Sequence, residues 1–438
     1  MNLVILFLLF LSFIAVYKYD RTFFYIYSIL FPFVGFFLLN KIGYNLAYTV
    51  INVELIAFIV LACTHKFPQN INKYIIIYLT VYLTYFLLIS TLQNVPFLSR
   101  WNHYKSPLVY FMWACMLLED IKGNNVSVKK LQRFFYSFLI FELVLCILQY
   151  TFEPIRFFFR NVNYIGPNGE IIEIRDDFYG GLMCGTFINV TTVSNILLMC
   201  FVICSNYILS RNFINQKSLF LIITTLLVIM LSGIKATFLL AVTFFIIIVF
   251  KYKQFKMLYV VAVFAIAIIL SGVVGMANGD TVSFGSGGIA RSLSIFSITD
   301  QTYIREQTTL SMSFSMFPYV LKNPLFGIGN HYKRGYLIEG TNFSIEDFST
   351  TDAMLFFEIA EIGIIGLLIY LWPLLKFMFL SKTIKVKYSQ YRLLFVLLIL
   401  STIVDAGFKS NNLLLLFFFS AVLFMESPIS SIKNINYE

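Results

Sequence analysis

The side chains best placed to do chemistry lie in one long polar stretch, residues 277–352, and at the start of the apolar segment that follows it. This stretch contains Arg291 and Arg305, passes through Gly327-Ile328-Gly329, and ends at Asp352. A guanidinium group binds a diphosphate through paired hydrogen bonds and keeps its charge at physiological pH. A nearby carboxylate can orient or deprotonate an attacking hydroxyl group. The combination predicts a site for an anionic substrate.

Further cations are expected at the same site. Arg175 lies in a second polar loop, and Lys235 lies in a short Ser-Gly-Ile-Lys-Ala turn between two apolar segments. His331 and Arg334 follow the glycine turn. If these residues converge with Arg291 and Arg305 near Asp352, they form a cationic pocket at the lipid boundary, at the depth of a lipid diphosphate headgroup. Gly327-Ile328-Gly329 lacks the third glycine and the preceding strand of a nucleotide fingerprint, so no cofactor is implied.

Several of these residues also have simpler interpretations. Asp352 follows Ser349-Thr350-Thr351 and could cap the next helix. Lys235 could be a lysine at a helix end whose ammonium group extends to the membrane surface. A lone loop histidine such as His331 is more often solvated or hydrogen-bonded than catalytic.

Acidic side chains also occur within apolar segments, where a charge at the helix centre costs at least about 2.5–3.5 kcal/mol. Examples are Glu54, Glu142, Glu358, Glu361 and Asp405. Glu358 and Glu361 are three residues apart and therefore share one helix face. Glu361, Gly363 and Gly366 are interpreted as helix-packing positions, since small residues let neighbouring helices approach closely. For Glu54 and Glu142 a structural hydrogen bond is the simplest use.

The composition indicates an all-α polytopic membrane protein. Hydrophobic residues make up 59% of the 438 residues, and the mean hydropathy is +0.82, whereas a soluble domain is about 45–50% apolar. The net charge of +10 is assigned to topology rather than to nucleic-acid binding, because the basic residues cluster in short loops. The six cysteines form no CxxC pair and imply neither a disulfide framework nor a metal site.

Apolar segments of the length needed to cross a bilayer predict about 12–13 transmembrane helices. The candidates are residues 2–17, 22–39, 45–63, 74–92, 106–118, 134–152, 182–209, 219–232, 236–250, 257–276, 353–380, 393–408 and 412–425. This divides the chain into a membrane region at 1–276 with an outer loop at 153–180, a large external loop at 277–352, and C-terminal helices at 353–438. The first segment is interpreted as a retained helix rather than a cleaved signal.

Basic loops set the orientation. Lysines and arginines cluster at residues 122–133, 211–217, 251–256 and 382–392, which places these loops in the cytoplasm and both polar loops outside. Within the first outer loop, residues 153–160 are expected to form an interfacial element, and Gly166-Pro167-Asn168-Gly169 a turn. Within the second, residues 310–321 are expected to form a short helix.

Four short motifs, taken together, resemble the Wzy / O-antigen ligase–polymerase family. They are Gly185-Thr186-Phe187-Ile188-Asn189, Ser232-Gly233-Ile234-Lys235-Ala236, Asn323-Pro324-Leu325-Phe326-Gly327-Ile328-Gly329, and Glu361-Ile362-Gly363-Ile364-Ile365-Gly366, with Asp352 nine residues before the last. Lys235 stands where the family pattern has arginine.

The resemblance implies a glycosyltransferase of the integral-membrane C type, active on the outer side of a bacterial cytoplasmic membrane. It would join undecaprenyl-diphosphate-linked repeat units into O-antigen, capsule or exopolysaccharide, with inversion and without a metal. By the same resemblance Arg305 contacts the diphosphate, and a flippase and a chain-length regulator are possible partners. Two alternatives remain open. One is a ligase that transfers polymer to lipid A core, and Asp352-Ala353 in place of the ligases' His-Asn disfavours it. The other is a flippase or other transporter, which the absence of an internal repeat disfavours.

Overall fold

The computed structural model describes residues 2–30, 53, 56–61, 69–160, 163–165, 171–173, 183–186, 190–209, 216–251, 317–329, 354–379, 417–419 and 422. In chain order the elements are α1 (Asn2–Tyr19), α2 (Gln69–Leu92), α3 (Phe97–Tyr104), α4 (Ser106–Lys122), α5 (Val128–Thr151), α6 (Glu153–Arg160), β1 (Asn163–Ile165), β2 (Ile171–Glu173), α7 (Val190–Leu209), α8 (Gln216–Leu231), α9 (Lys235–Lys251), α10 (Phe317–Lys322) and α11 (Met354–Phe379). Residues 21–30 and 56–61 are also helical.

The described elements confirm the predicted helical class. Two helices, Val128–Thr151 and Glu358–Lys376, are long and apolar enough to cross a membrane. Shorter apolar helices cover Phe7–Tyr19, Ile76–Leu92, Val193–Cys204, Phe220–Leu231 and Thr237–Ile247. The one departure within the described ranges is the antiparallel pair β1–β2, which flanks the turn predicted at residues 166–169.

Helix α4 lies at the centre of the packing. It begins with Pro107 in its first turn, where the missing backbone N–H costs nothing, and it ends at Gly123. Its side chains are buried on every face, so the sequence shows no amphipathic stripe there. Around it, the Tyr78 ring of α2 stacks on Trp372 of α11 with ring centroids 5.2 Å apart, and Phe111 of α4 packs on the edge of the same indole.

A buried aspartate joins the first helices to the end of α4. Asp120 is fully buried and accepts hydrogen bonds from Tyr25 at 2.7 Å, from Tyr17 at 3.3 Å and from Arg21 at 2.5 Å. A buried carboxylate is tolerated only when its oxygens are paired in this way. The cluster therefore fixes residues 17–25 against the end of α4.

The start of one helix and the presence of another differ from the apolar pattern. Helix α7 begins at Val190 and not at 182, because residues 183–186 form a turn in which Gly185 has a φ of 58°. Helix α3, which the apolar pattern does not predict, begins after Pro96 and packs against α2. The second difference matters for the site, because α3 carries Arg100 and Tyr104.

Candidate functional site

The most unusual feature of the described backbone is a break inside α11. Gly363 has a φ of 70° and a ψ of 174°, which are not helical angles. In an unbroken helix the N–H groups of residues 364, 365 and 366 would donate to the carbonyls of residues 360, 361 and 362. The break separates these donors and acceptors, and each needs a new partner because buried backbone polar groups are rarely left unpaired.

The segment that follows α10 supplies four of these partners. The N–H groups of Ile328 and Gly329 donate to the carbonyls of Ala360 at 2.7 Å and Glu361 at 3.2 Å. In return, the carbonyls of residues 324 and 325 accept from the N–H groups of residues 364 at 2.8 Å and 365 at 3.2 Å. The motif at residues 323–329 is therefore inserted into the motif at residues 361–366, backbone to backbone. We call this arrangement, residues 324–329 with 360–366, the insertion junction.

Glycine is required where the two backbones meet. A Cβ atom on Gly327 would lie 2.6 Å from the Glu361 carbonyl and 2.6 Å from the Gly363 nitrogen. A Cβ atom on Gly363 would overlap the Leu325 carbonyl oxygen. Both glycines also have a φ of 70°, which other residues adopt only at a cost. The sequence interpretation of Gly363 as a packing position thus covers only part of its role.

The third broken helical hydrogen bond is bridged by a side chain from α2. The Tyr85 hydroxyl donates to the Ile362 carbonyl at 2.5 Å, and the Gly366 backbone forms a hydrogen bond with the same hydroxyl. Gly366 permits this approach, since a Cβ atom there would lie 2.8 Å from the Tyr85 ring. One phenol therefore replaces the bond that the helix loses between residues 362 and 366.

We expect Tyr85→Phe to lower the free energy of unfolding by about 1–3 kcal/mol, the cost of leaving a buried carbonyl without its donor. Tyr82→Phe is the matched control on the same helix. The Tyr82 hydroxyl is buried and makes no hydrogen bond within the described part of the chain, so its removal should be neutral or slightly stabilising. Thermal unfolding of the two purified variants measures the difference, and equal losses would contradict the bridging role of Tyr85.

Two further side chains hold the inserted segment from its other side. The Gln93 side-chain amide donates to the carbonyls of Phe326 and Gly327, both at 2.8 Å. Its oxygen accepts a hydrogen bond from Arg100, which is fully buried on α3. The chain leaves the junction at Gly329, directly beside this pair.

A buried acidic pair lies on the same helix, near the insertion junction. Glu358 and Glu361 are 4% and 2% exposed, and the Tyr104 hydroxyl donates to Glu358 at 2.5 Å. Burial raises the pKa of Tyr104 well above its ordinary value, and the charges of Glu358 and Glu361 raise it further. Tyr104 therefore stays protonated and remains a hydrogen-bond donor to these carboxylates.

The motif at residues 185–189 meets a second buried acid. Glu142 of α5 accepts hydrogen bonds from the Thr186 hydroxyl at 2.5 Å and the Thr186 N–H at 3.2 Å. Gln149, two turns later, accepts from the N–H groups of Cys184 and Gly185 and donates to the Gly185 carbonyl at 2.7 Å. The turn before α7 is thereby fixed to the end of α5, and Glu142 has the structural hydrogen bonds expected for it.

The hairpin between α8 and α9 packs on the first turns of α7. The Ser194 hydroxyl donates to Ser232 at 2.6 Å, and the Thr237 hydroxyl donates to Asn195 at 2.6 Å. These two bonds fix the hairpin to α7 within six residues of its first residue, Val190. Gly233 turns the hairpin with a φ of 74°.

The candidate residues from the sequence are only partly described. Lys235 is the first residue of α9, and its side chain lies outside the described set. Glu361, Gly363 and Gly366 belong to the insertion junction and its surroundings. The remaining candidates, Arg175, Arg291, Arg305, His331, Arg334 and Asp352, lie outside the described residues, as do Glu54 and Asp405.

Sequence reasoning missed Tyr85, Gln93, Arg100 and Tyr104. A usable signal existed for Arg100. The predicted orientation places residues 93–105 outside, where short loops usually carry few arginines and lysines, yet this loop contains Arg100 and Lys105. A basic residue on that side is expected to have a specific partner, and Arg100 has one in Gln93.

Among the described residues no group of three or more His, Cys, Asp or Glu side chains could hold a metal ion. Comparisons with known proteins identify no relative, since no family model, curated protein or solved structure matches the chain. The resemblance noted in the sequence therefore stays a prediction.

Proposed function

We propose that this protein is a membrane-embedded polymerase that joins undecaprenyl-diphosphate-linked oligosaccharide repeat units into a long polysaccharide. Under this proposal the chain crosses a bacterial cytoplasmic membrane about 12–13 times, with the glycosyltransferase architecture that the resemblance implies. Its site opens to the outer side, where the carrier lipid presents its diphosphate. The product would be O-antigen, capsule or exopolysaccharide.

The insertion junction is the observation that carries the proposal. It joins two motifs of the resemblance that are more than thirty residues apart in the sequence. Residues 330–353 leave this junction at Gly329 and return at Met354, which is seven residues before Glu361 on the same helix, or about 10 Å along its axis. This segment contains His331, Arg334 and Asp352. Both of its ends are therefore held near one end of α11.

The proposed reaction needs a proton acceptor and a stabilised leaving group. A hydroxyl of the incoming repeat unit attacks C1 of the sugar at the reducing end of the growing chain, and the C1–oxygen bond to the diphosphate breaks with inversion. Asp352 accepts the hydroxyl proton. Arg305, together with Arg175, Lys235 and Arg291, balances the charge of the departing lipid diphosphate. His331 and Arg334 are assigned to substrate binding, and no cofactor is required.

Analysis of lipid-linked glycans in a deletion strain tests this function against its alternatives. A polymerase is expected to leave single repeat units on the carrier at the outer leaflet. Long lipid-linked polymer that is never transferred to its final acceptor would identify a ligase instead. Repeat units that accumulate at the inner leaflet would identify a flippase. Wild-type glycan in the deletion strain would contradict all three.

A further inference from the structure

Gln93 and Arg100 form a buried pair that no catalytic step assigned above uses. Gln93 follows the last turn of α2, and Arg100 lies in the middle of α3. Gln93 is 8% exposed and Arg100 is not exposed at all. Burying a guanidinium group carries a large desolvation cost, and hydrogen bonds to that group are needed to offset it.

The geometry fixes the orientation of the Gln93 amide. Arg100 has only donors, so the atom of Gln93 that faces it must be the amide oxygen. The amide nitrogen then points at the carbonyls of Phe326 and Gly327, each 2.8 Å away. It also lies 3.4 Å from the Glu361 carbonyl. Arg100 thus sets which end of Gln93 meets the inserted segment.

The same pair limits where the chain can go after the junction. A Cβ atom on Gly329 would lie 2.5 Å from the Gln93 oxygen and 3.1 Å from an Arg100 nitrogen. Gly329 has a φ of 69°, and its N–H donates to the backbone carbonyl of Glu361. The backbone therefore turns against the Gln93–Arg100 pair immediately before it continues to Asn330 and His331.

We propose that Gln93 and Arg100 are positioning residues for the transfer reaction. They hold the carbonyls of residues 326 and 327 and thereby set the direction in which the chain enters the segment with His331 and Arg334. This inference rests on the proposed function. It assigns the pair an indirect effect on catalysis, through the backbone that it holds at residues 326 and 327, and no contact of its own with the substrate.

Three variants separate positioning from folding. Gln93→Glu keeps the size and an acceptor for Arg100, but it removes the donor to both carbonyls. Arg100→Met removes the donor to Gln93, whereas Arg100→Lys retains one. Gln132→Glu, on the half-buried surface of α5, is the control for the change from amide to carboxylate. Each protein is assayed in liposomes with undecaprenyl-diphosphate-linked repeat units purified from the deletion strain.

For Gln93→Glu and Arg100→Met we expect kcat to fall about 10- to 100-fold, because a small misplacement of reacting groups costs this much. KM for the lipid-linked unit should rise as well, because His331 and Arg334, which are assigned to substrate binding, follow directly after the junction. Arg100→Lys should recover most of the loss. Peptide-resolved hydrogen exchange should show faster exchange at Ile328 and Gly329 in the two damaged variants, while Gln132→Glu behaves like the wild type.

Two results would overturn the inference. One is an unchanged kcat in a folded Gln93→Glu protein whose junction amides exchange faster. The other is a rise in KM with kcat unchanged, which would make the pair part of substrate binding. An inactive wild-type protein would instead contradict the proposed function, and hydrogen exchange would still report whether the pair holds the junction.

Discussion

Replacing Gly363 with alanine is expected to lower the free energy of unfolding by about 5–6 kcal/mol. The left-handed backbone angle costs an alanine about 1–2 kcal/mol. The new Cβ would overlap the Leu325 carbonyl oxygen, so the inserted segment must withdraw and its four backbone hydrogen bonds are lost at about 1 kcal/mol each. A loss of this size approaches the total stability of many domains, about 5–15 kcal/mol. Thermal unfolding of the purified protein and its abundance in membranes measure the effect.

The matched control for this substitution is Gly123→Ala. Gly123 has a φ of −76°, which alanine adopts freely, and the nearest obstacle to a new Cβ is the end of the Asn125 side chain. Its effect should therefore be small. If Gly363→Ala were no more destabilising than Gly123→Ala, the insertion junction would not contribute to the stability of the fold.

The second large effect is expected at Asp352, where asparagine is the informative substitution. Asparagine caps a helix about as well as aspartate, but it cannot accept a proton from the sugar hydroxyl. Because general-base catalysis contributes about 10²- to 10⁴-fold, Asp352→Asn should reduce polymer synthesis by at least about 100-fold without lowering the unfolding temperature. The length distribution of lipid-linked glycan in complemented deletion cells measures the change.

Asp347→Asn in the same loop is the control, and it should support wild-type chain lengths. Normal chains in cells with Asp352→Asn, together with a lower unfolding temperature for Asp352→Ala, would reduce Asp352 to a helix cap. The catalytic base would then have to be sought elsewhere in the chain.

The helices with long apolar runs could be predicted from the sequence. Residues 74–92, 106–118 and 236–250 all fall within helices of the structure, because a continuous apolar run of more than about 12 residues favours a helix over a strand. Helix α3 could not be predicted in this way. It has eight residues with a mixed polar and aromatic composition, and its place is set by packing against α2 rather than by a periodic pattern.

The insertion junction shows what sequence patterns leave out. Its bonds join backbone atoms of residues 324–329 to those of residues 360–365, so the side chains carry almost no record of the pairing. Only the glycines are visible in the sequence, and Gly363 is equally compatible with ordinary helix packing. Arg100 gave a signal because it is a basic residue in a loop that the sequence predicts to lie outside. Its partner Gln93 gave none, since one glutamine at a helix end is unremarkable.

The most direct test of the account is polymerisation by the purified protein alone. Wild-type protein in liposomes is incubated with undecaprenyl-diphosphate-linked repeat units, without nucleotide sugars and in the presence of a metal chelator, and the lipid-linked products are separated by length. The account predicts a ladder that extends beyond two units and is absent with Asp352→Asn. Repeat units that remain single in the wild-type reaction, or are merely moved across the bilayer, would contradict it.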